Sequence, residues 1–224
     1  MYIGYQLYEL NRFDYLDDEF AFDIAHFEKY AFAGEHFPFE KKAKLKMFER
    51  ELKNVARHST EMAIMLRNAE LWFPIIEPIL KRKGIPEDFK YIAVVESSLQ
   101  AERVSNKNAV GFWQIVKGTG LEYGLHINDE IDERYNPVKS TYAACAYFKD
   151  MYAIYNDWLL VIAAYNCGAG NVNRAIARSG GKKTFWEISP YLPKETRGYV
   201  PAFIAAMYTM EHYKEHNLQP RYPQ

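Results

Sequence analysis

The chain has 224 residues, 49% of them hydrophobic, with 28 basic side chains against 29 acidic ones, enough apolar surface for one sizeable core or two modest ones. A formal net charge of −1 removes any global attraction to nucleic acid or an anionic membrane, so partners must be read from a local site. No apolar run reaches the ~18 residues of a membrane-spanning helix, and two cysteines, Cys145 and Cys167, exclude a disulfide-stapled miniature fold and read as buried thiols.

Residues 1 to about 40 show no clean period, contain Gly34, Pro38 and many aromatics, and read as an irregular arm on a larger body. Their first stretch carries Glu9, Asp14, Asp17, Asp18 and Glu19, the opposite of a basic-then-apolar signal peptide. From Lys41 the pattern changes: Leu45, Phe48, Leu52, Val55, Met62 and Met65 form one stripe between charged residues, which predicts a long amphipathic helix. A second helical stretch spans Leu71 to Lys81, with Ile75, Ile76, Ile79 and Leu80 as its apolar face. It is expected to start at Pro74 and to kink or split near Pro78, because proline suits a first turn but removes a hydrogen bond further in.

Gly84 and Pro86 mark a turn, and Pro86-Glu87-Asp88 reads as a helix start with acids at its positive end. That helix runs through Tyr91, Val94 and Val95 and places Glu96 in its last turn. Burial behind an apolar run and the carbonyl end of a helix both disfavour a carboxylate, so Glu96 is expected to retain its proton near pH 7 and to serve as a general acid. Residues 99 to 137 are rich in Asn, Gly and charge and read as loops and short helices, where a cleft can form. Helical spacing returns over Pro137 to Tyr155, Trp158 to Ala164 and about Thr196 to His216, and no strand pattern or repeat is evident, so the fold is predicted to be mainly α.

Three further segments stand out. Gly111-Phe112-Trp113-Gln114 joins a glycine, two rings and an amide; Ala163 to Gly170 ends a helix in a turn with Tyr165 and Asn166 at its lip; Glu195 to Val200 sets Tyr199 near a helix start. Taken singly, each reads as packing or a helix cap. His212 and His216 have a spacing that suits zinc, but Glu211, Lys214 and Glu215 make that face a solvated one, and no metal is expected. Gly168-Ala169-Gly170 follows a helix and lacks the third glycine and the lysine of a phosphate loop.

Together with Glu96-Ser97, and in this order, these segments resemble the lytic transglycosylase (SLT) domain of the lysozyme superfamily, particularly the membrane-bound lytic murein transglycosylase D type. The matching residues also include Ser105, Thr119-Gly120, Ala164-Tyr165-Asn166-Cys167-Gly168, Glu195-Thr196 with Tyr199, Asp132-Glu133-Arg134 with Asn136-Pro137, and upstream Phe32-Ala33-Gly34-Glu35. One departure is Val116, where many relatives have methionine two residues after the motif glutamine.

The resemblance implies a lysozyme-like, goose-type helical catalytic domain with an extra N-terminal helical region: residues 1–70 as arm and long helix, 71–216 as the catalytic domain and 217–224 as a tail. It implies cleavage of the β-1,4 bond between N-acetylmuramic acid and N-acetylglucosamine in peptidoglycan, with Glu96 as sole acid and base. Tyr165 is expected to hydrogen-bond and orient Glu96, Gln114 and Ser105 to contact sugar, and Asn166, Tyr199 and Trp113 to line the site. No cofactor and no nucleic acid are expected; the protein is expected to act as a monomer in the periplasm or at the outer membrane, with an export signal or lipid anchor already removed.

A lone acid sets the mechanism apart from glycosidases that flank the bond with two carboxylates, roughly 5 Å apart in retaining enzymes. Glu102 and Glu122 are near in sequence but read as solvated charges. The substrate must then help: its N-acetyl group stabilises charge at C1, and its own C6 hydroxyl attacks to give a 1,6-anhydro end. Two rival readings keep the same cleft: a lysozyme-like muramidase in which water completes the reaction, and a non-catalytic glycan holder, against which the pairing of Glu96 with Tyr165 argues.

Overall fold

In the computed structural model, residues 31–32, 35–36, 50–51 and 59–215 are described. Most of the expected arm and of the helix from Lys41 therefore lies outside the described residues, as do His216 and the tail 217–224.

Helix α1, Ser59–Lys83, is continuous through both prolines and through residue 70, where a separate helix starting at Pro74 is expected from the sequence. Pro74 and Pro78 stand four residues apart on the exposed side, while Ile76, Ile79 and Leu80 are buried on the other. The carbonyls that lose a donor, those of Glu70 and Pro74, thus belong to the wet side, so the helix passes both prolines without burying an orphaned group. Ile75, counted in the apolar face, is exposed instead.

A turn at Gly84 leads to a 3₁₀ turn over Glu87–Phe89 and to α2, Lys90–Ser97, whose residues Tyr91 to Ser97 are all buried. Between α2 and residue 136 the chain forms one short helix, α3 (Lys117–Glu122), isolated bridges Val104 to Val110, Val110 to Ile115 and Ile127 to Asp132, and a 3₁₀ turn over Glu133–Tyr135. This is the loop-rich region that the sequence predicts.

The remaining helices are α4 (Pro137–Tyr155), α5 (Trp158–Cys167), α6 (Ala169–Arg178), α7 (Phe185–Ile188) and α8 (Lys194–Glu211). Their starts follow from local chemistry: Asn136 Oδ1 accepts from Val138 N and Lys139 N ahead of Pro137, and Asp157 Oδ1 accepts from Leu160 N at 2.7 Å. Helix α5 is apolar all round, buried from Leu159 to Ala164, and packs against α4, α6 and α8. Helix α2 packs against α1 and α8.

The architecture is mainly α, as the sequence predicts. Within the described residues one short antiparallel pair adds to it, β1 (Ala31–Phe32) and β2 (Glu35–His36). Phe32 is fully buried there, with ring centroids 5.7 Å from Phe89 and 5.2 Å from Phe203, so a piece of the arm is a core element between the 3₁₀ turn that precedes α2 and helix α8, which carries Tyr199. No helix among the described residues is long and apolar enough to cross a membrane.

Candidate active site

Glu96 is the penultimate residue of α2 and is 5% exposed. A carboxyl so far from water needs a donor, and Tyr199 on α8 supplies it: Tyr199 Oη donates to Glu96 Oε1 at 2.6 Å. Burial pushes the Tyr199 phenol well above its ordinary pKa, and the Glu96 charge adds to the shift, so the hydroxyl keeps its proton and remains a donor.

The role expected of Tyr165 is therefore filled by Tyr199. Tyr165 Oη instead donates to the main-chain carbonyl of Trp113, and its ring lies 5.1 Å from Phe148 and 5.4 Å from Tyr147. Burial and then the Glu96 charge raise its phenol as well, so it sits near the carboxylate while anchoring a different segment. The sequence places both tyrosines in motifs but holds no information on which hydroxyl reaches the acid.

That anchored segment is the Gly111 to Gln114 loop. Ser97 Oγ lies 2.9 Å from Phe112 O and 3.0 Å from Ala93 O, tying the loop to the helix turn that carries Glu96. Trp113 is fully buried: its Nε1 donates to Thr141 Oγ1 at 2.9 Å and its ring meets Phe148 edge-on at 5.7 Å. The expectation that Trp113 lines the sugar site is thereby corrected, because no face of the indole is open to a ligand; it is a core plug whose carbonyl holds Tyr165.

Gln114 adopts φ +48° and is half-buried, with Nε2 donating to Gly111 O at 2.9 Å and to Arg103 O at 3.1 Å. Its amide protons are thus spent on the loop, and its Oε1 is the side that can accept from a ligand. Ser105 Oγ accepts from Ala109 N at 3.1 Å and Lys107 N at 3.3 Å, which shapes the turn leading into the same loop. Asn166 Oδ1 accepts from the buried Thr196 at 2.8 Å, joining the end of α5 to the start of α8.

Arg134 is missing from the sequence-predicted set although it organises this loop. It is 7% exposed; Nη1 donates to Asn108 O at 2.8 Å and Ile115 O at 3.1 Å, while Nη2 meets Asp132 Oδ2 at 2.6 Å and Nε meets Asp132 Oδ1 at 2.9 Å. The hydrogen bonds from Arg134 hold the Asp132 carboxyl below its ordinary pKa. Gly111, at φ +77°, completes the fit: a Cβ there would come within 2.3 Å of Arg134 O. Asp132-Glu133-Arg134 is among the segments that carry the resemblance, but the sequence alone assigns Arg134 no role at the site.

Glu102 and Glu122 are exposed, as solvated charges should be, and Cys145 and Cys167 are free thiols, the first buried and the second half-buried. Among the described residues no group of three His, Cys, Asp or Glu side chains is placed to hold a metal.

Residues 73–188 match the transglycosylase SLT domain family. Over 144 residues the chain is 35% identical to membrane-bound lytic murein transglycosylase D of Escherichia coli K12, covering 62% of this chain and 31% of that protein. It is 32% identical over 120 residues to a putative soluble lytic murein transglycosylase of Haemophilus influenzae, covering 51% of this chain and 20% of that one. The chain thus spans a third or less of the length of these two relatives. Among solved structures, the 70 kDa soluble lytic transglycosylase of E. coli superposes with a TM-score of 0.56 at 20% identity, over 76% of this chain and 32% of that one. Its complex with bulgecin A gives the same TM-score over 81% of this chain and 35% of that one. At such identity the likeness shows a shared helical fold.

Proposed function

This chain belongs to the transglycosylase SLT domain family, and we propose that it cleaves the β-1,4 bond between N-acetylmuramic acid and N-acetylglucosamine in peptidoglycan, leaving 1,6-anhydromuramic acid ends. The observation that carries this reading is the buried carboxyl of Glu96, which lies inside the matched segment, with the Tyr199 phenol, beyond that segment, donating to one of its oxygens at 2.6 Å. The catalytic domain expected over residues 71–216 is proposed to include the start of α1 as well, since that helix runs unbroken from Ser59 through residue 70.

Tyr199 donates to Oε1 of Glu96, and the acid gives up its proton in the first step. That proton passes to the O4 leaving oxygen as the C1–O4 bond breaks, while the substrate's N-acetyl group stabilises the positive charge at C1. The resulting carboxylate then takes the proton of the muramic acid C6 hydroxyl, and O6 bonds to C1. Glu96 ends the cycle protonated, and no water is consumed. An internal nucleophile competes well against water because its effective concentration is large, about 10⁵ M or more when it is well oriented.

Each neighbouring residue has a part in this scheme. Tyr199, held as a phenol throughout, steadies the carboxylate in the second half of the cycle. Gln114 offers its Oε1 to a sugar donor, and Ser105, Asn166 and Tyr165 shape the walls, Tyr165 through the Trp113 carbonyl. Peptidoglycan strands are the proposed partner, met by a monomer in the periplasm or at the outer membrane; the name of the E. coli relative, membrane-bound, supports that location.

Mass spectrometry of material released from purified sacculi tests the reading. Anhydro-muropeptides are expected from the wild type and none from Glu96→Gln; undiminished release by that variant contradicts the assignment of Glu96.

A further inference from the structure

Two left-handed residues in succession, Ser98 and Leu99, each at φ 56°, close the helix that carries Glu96. Neither is glycine, so the Cβ makes both conformations costly, and the turn persists only where its surroundings hold it. Part of that hold is local: Ser98 N donates to Val94 O at 2.8 Å and Leu99 N to Ala93 O at 3.3 Å.

The rest comes from another helix. Asn68, in the middle of α1 and 6% exposed, donates from Nδ2 to Ser98 O at 2.9 Å. Its amide orientation is fixed by its two partners. Arg67 can only donate, and does so to Asn68 Oδ1 from Nη2 at 2.8 Å and Nε at 3.3 Å; the Ser98 carbonyl can only accept, so the NH₂ must face it. One turn further along α1, Trp72 meets Phe112 edge-on at 4.9 Å, and Phe112 O is the acceptor facing Ser97 Oγ. One face of α1 thus reaches both the turn after Glu96 and the loop that carries Gln114.

We infer that Asn68 is a positioning residue for Glu96: its hydrogen bond holds the left-handed turn two residues beyond the acid and so keeps the carboxyl in register with Tyr199. The inference rests on the reading of Glu96 as the reacting group. Asn68 precedes the segment 73–188 that matches the family, so the functional unit reaches further back along α1 than that match.

The test compares Asn68→Asp, which keeps the shape and the acceptor for Arg67 but removes the donor, with Asn68→Ser, which keeps a donor on a shorter stem. Turnover on purified sacculi is expected to fall about tenfold or more in Asn68→Asp, since small displacements of a reacting group are costly, and to recover in part in Asn68→Ser. Sedimentation with sacculi, which reads binding alone, is expected to stay within about twofold. Met62→Ala, a core change on the same helix, controls for stability and is expected to keep wild-type turnover below its melting temperature.

The proton NMR signal of the Tyr199 hydroxyl reads the same placement without substrate and is expected to shift in Asn68→Asp. Wild-type turnover in Asn68→Asp, a Tyr199 signal unmoved by it, or an equal turnover loss in Met62→Ala overturns the inference. A wild-type protein that releases no product overturns the functional reading instead, and the Tyr199 signal then decides the case of Asn68.

Discussion

Tyr199 donates a 2.6 Å hydrogen bond to Glu96 across 103 positions of sequence, from the first half of α8 to the last turn of α2. Both groups are buried, so the bond is not diluted by solvent. A hydrogen bond to a charged group contributes about 1.5–3 kcal/mol. Tyr199→Phe is therefore expected to lower turnover on sacculi by roughly 10- to 100-fold, with binding held nearly constant. Tyr165→Phe removes a bond to a neutral carbonyl and is expected to cost less turnover. Steady-state rates of the two variants, with sacculus binding measured in parallel, check the order; a larger loss in Tyr165→Phe would reverse the roles.

Gly111→Ala combines an unfavourable left-handed φ of +77° with a Cβ placed 2.3 Å from the Arg134 carbonyl. Backbone must shift for it to fit, so a loss of about 2–3 kcal/mol in unfolding free energy is expected. Gly84→Ala is a useful contrast, because φ +69° strains the residue but no atom lies within 4 Å of its Cβ. Urea denaturation should show the larger loss at Gly111.

Acid sensitivity follows from the Asp132–Arg134 pair. Folding lowers the Asp132 carboxyl below 3.8 through the Arg134 hydrogen bonds, so the unfolded chain binds the proton more readily. Its stabilising contribution is complete above that unfolded value and is lost as pH falls toward the folded one. Asp157 acts in the opposite sense, since burial raises its carboxyl and protonation favours the folded state. The difference between wild type and Asp132→Asn isolates the first effect. Urea midpoints from about pH 5 to about pH 3 are expected to converge for the two proteins as the pH drops; a constant gap would contradict the pairing.

Trp113→Phe is expected to weaken the fold rather than ligand binding. It removes the Nε1 bond to Thr141, leaving the hydroxyl of a buried threonine with one partner fewer, at about 1–2 kcal/mol. Thermal melting should fall while sacculus sedimentation stays at the wild-type level. Reduced sedimentation in a protein that melts normally would return Trp113 to the sugar site.

The parts of the fold legible in the sequence are those governed by neighbours along the chain. Pro86-Glu87-Asp88 opens the turn before α2, Asn136-Pro137 and Asp157 begin α4 and α5, and the apolar run before Glu96 puts that acid inside. What the sequence hides depends on which side of an element meets solvent or a distant partner. Pro74 and Pro78 look like breakers until both prove to lie on the wet face of α1. Tyr165 and Tyr199 sit in equally plausible motifs, and only the packing of α8 on α2 selects the second. Trp113, two residues after Gly111, is expected to line the site until its indole is found buried against Thr141. Asn68, a polar residue in an amphipathic helix, gives no signal at all until Ser98 faces it.

In the proposed reaction the substrate's own hydroxyl, rather than water, completes the step begun by Glu96. Digestion of sacculi in H₂¹⁸O, followed by mass spectrometry of the released muropeptides, distinguishes the two. Muramic acid ends without ¹⁸O, one water lighter than reducing ends, are the predicted result; ¹⁸O at C1 of the released muramic acid would contradict it.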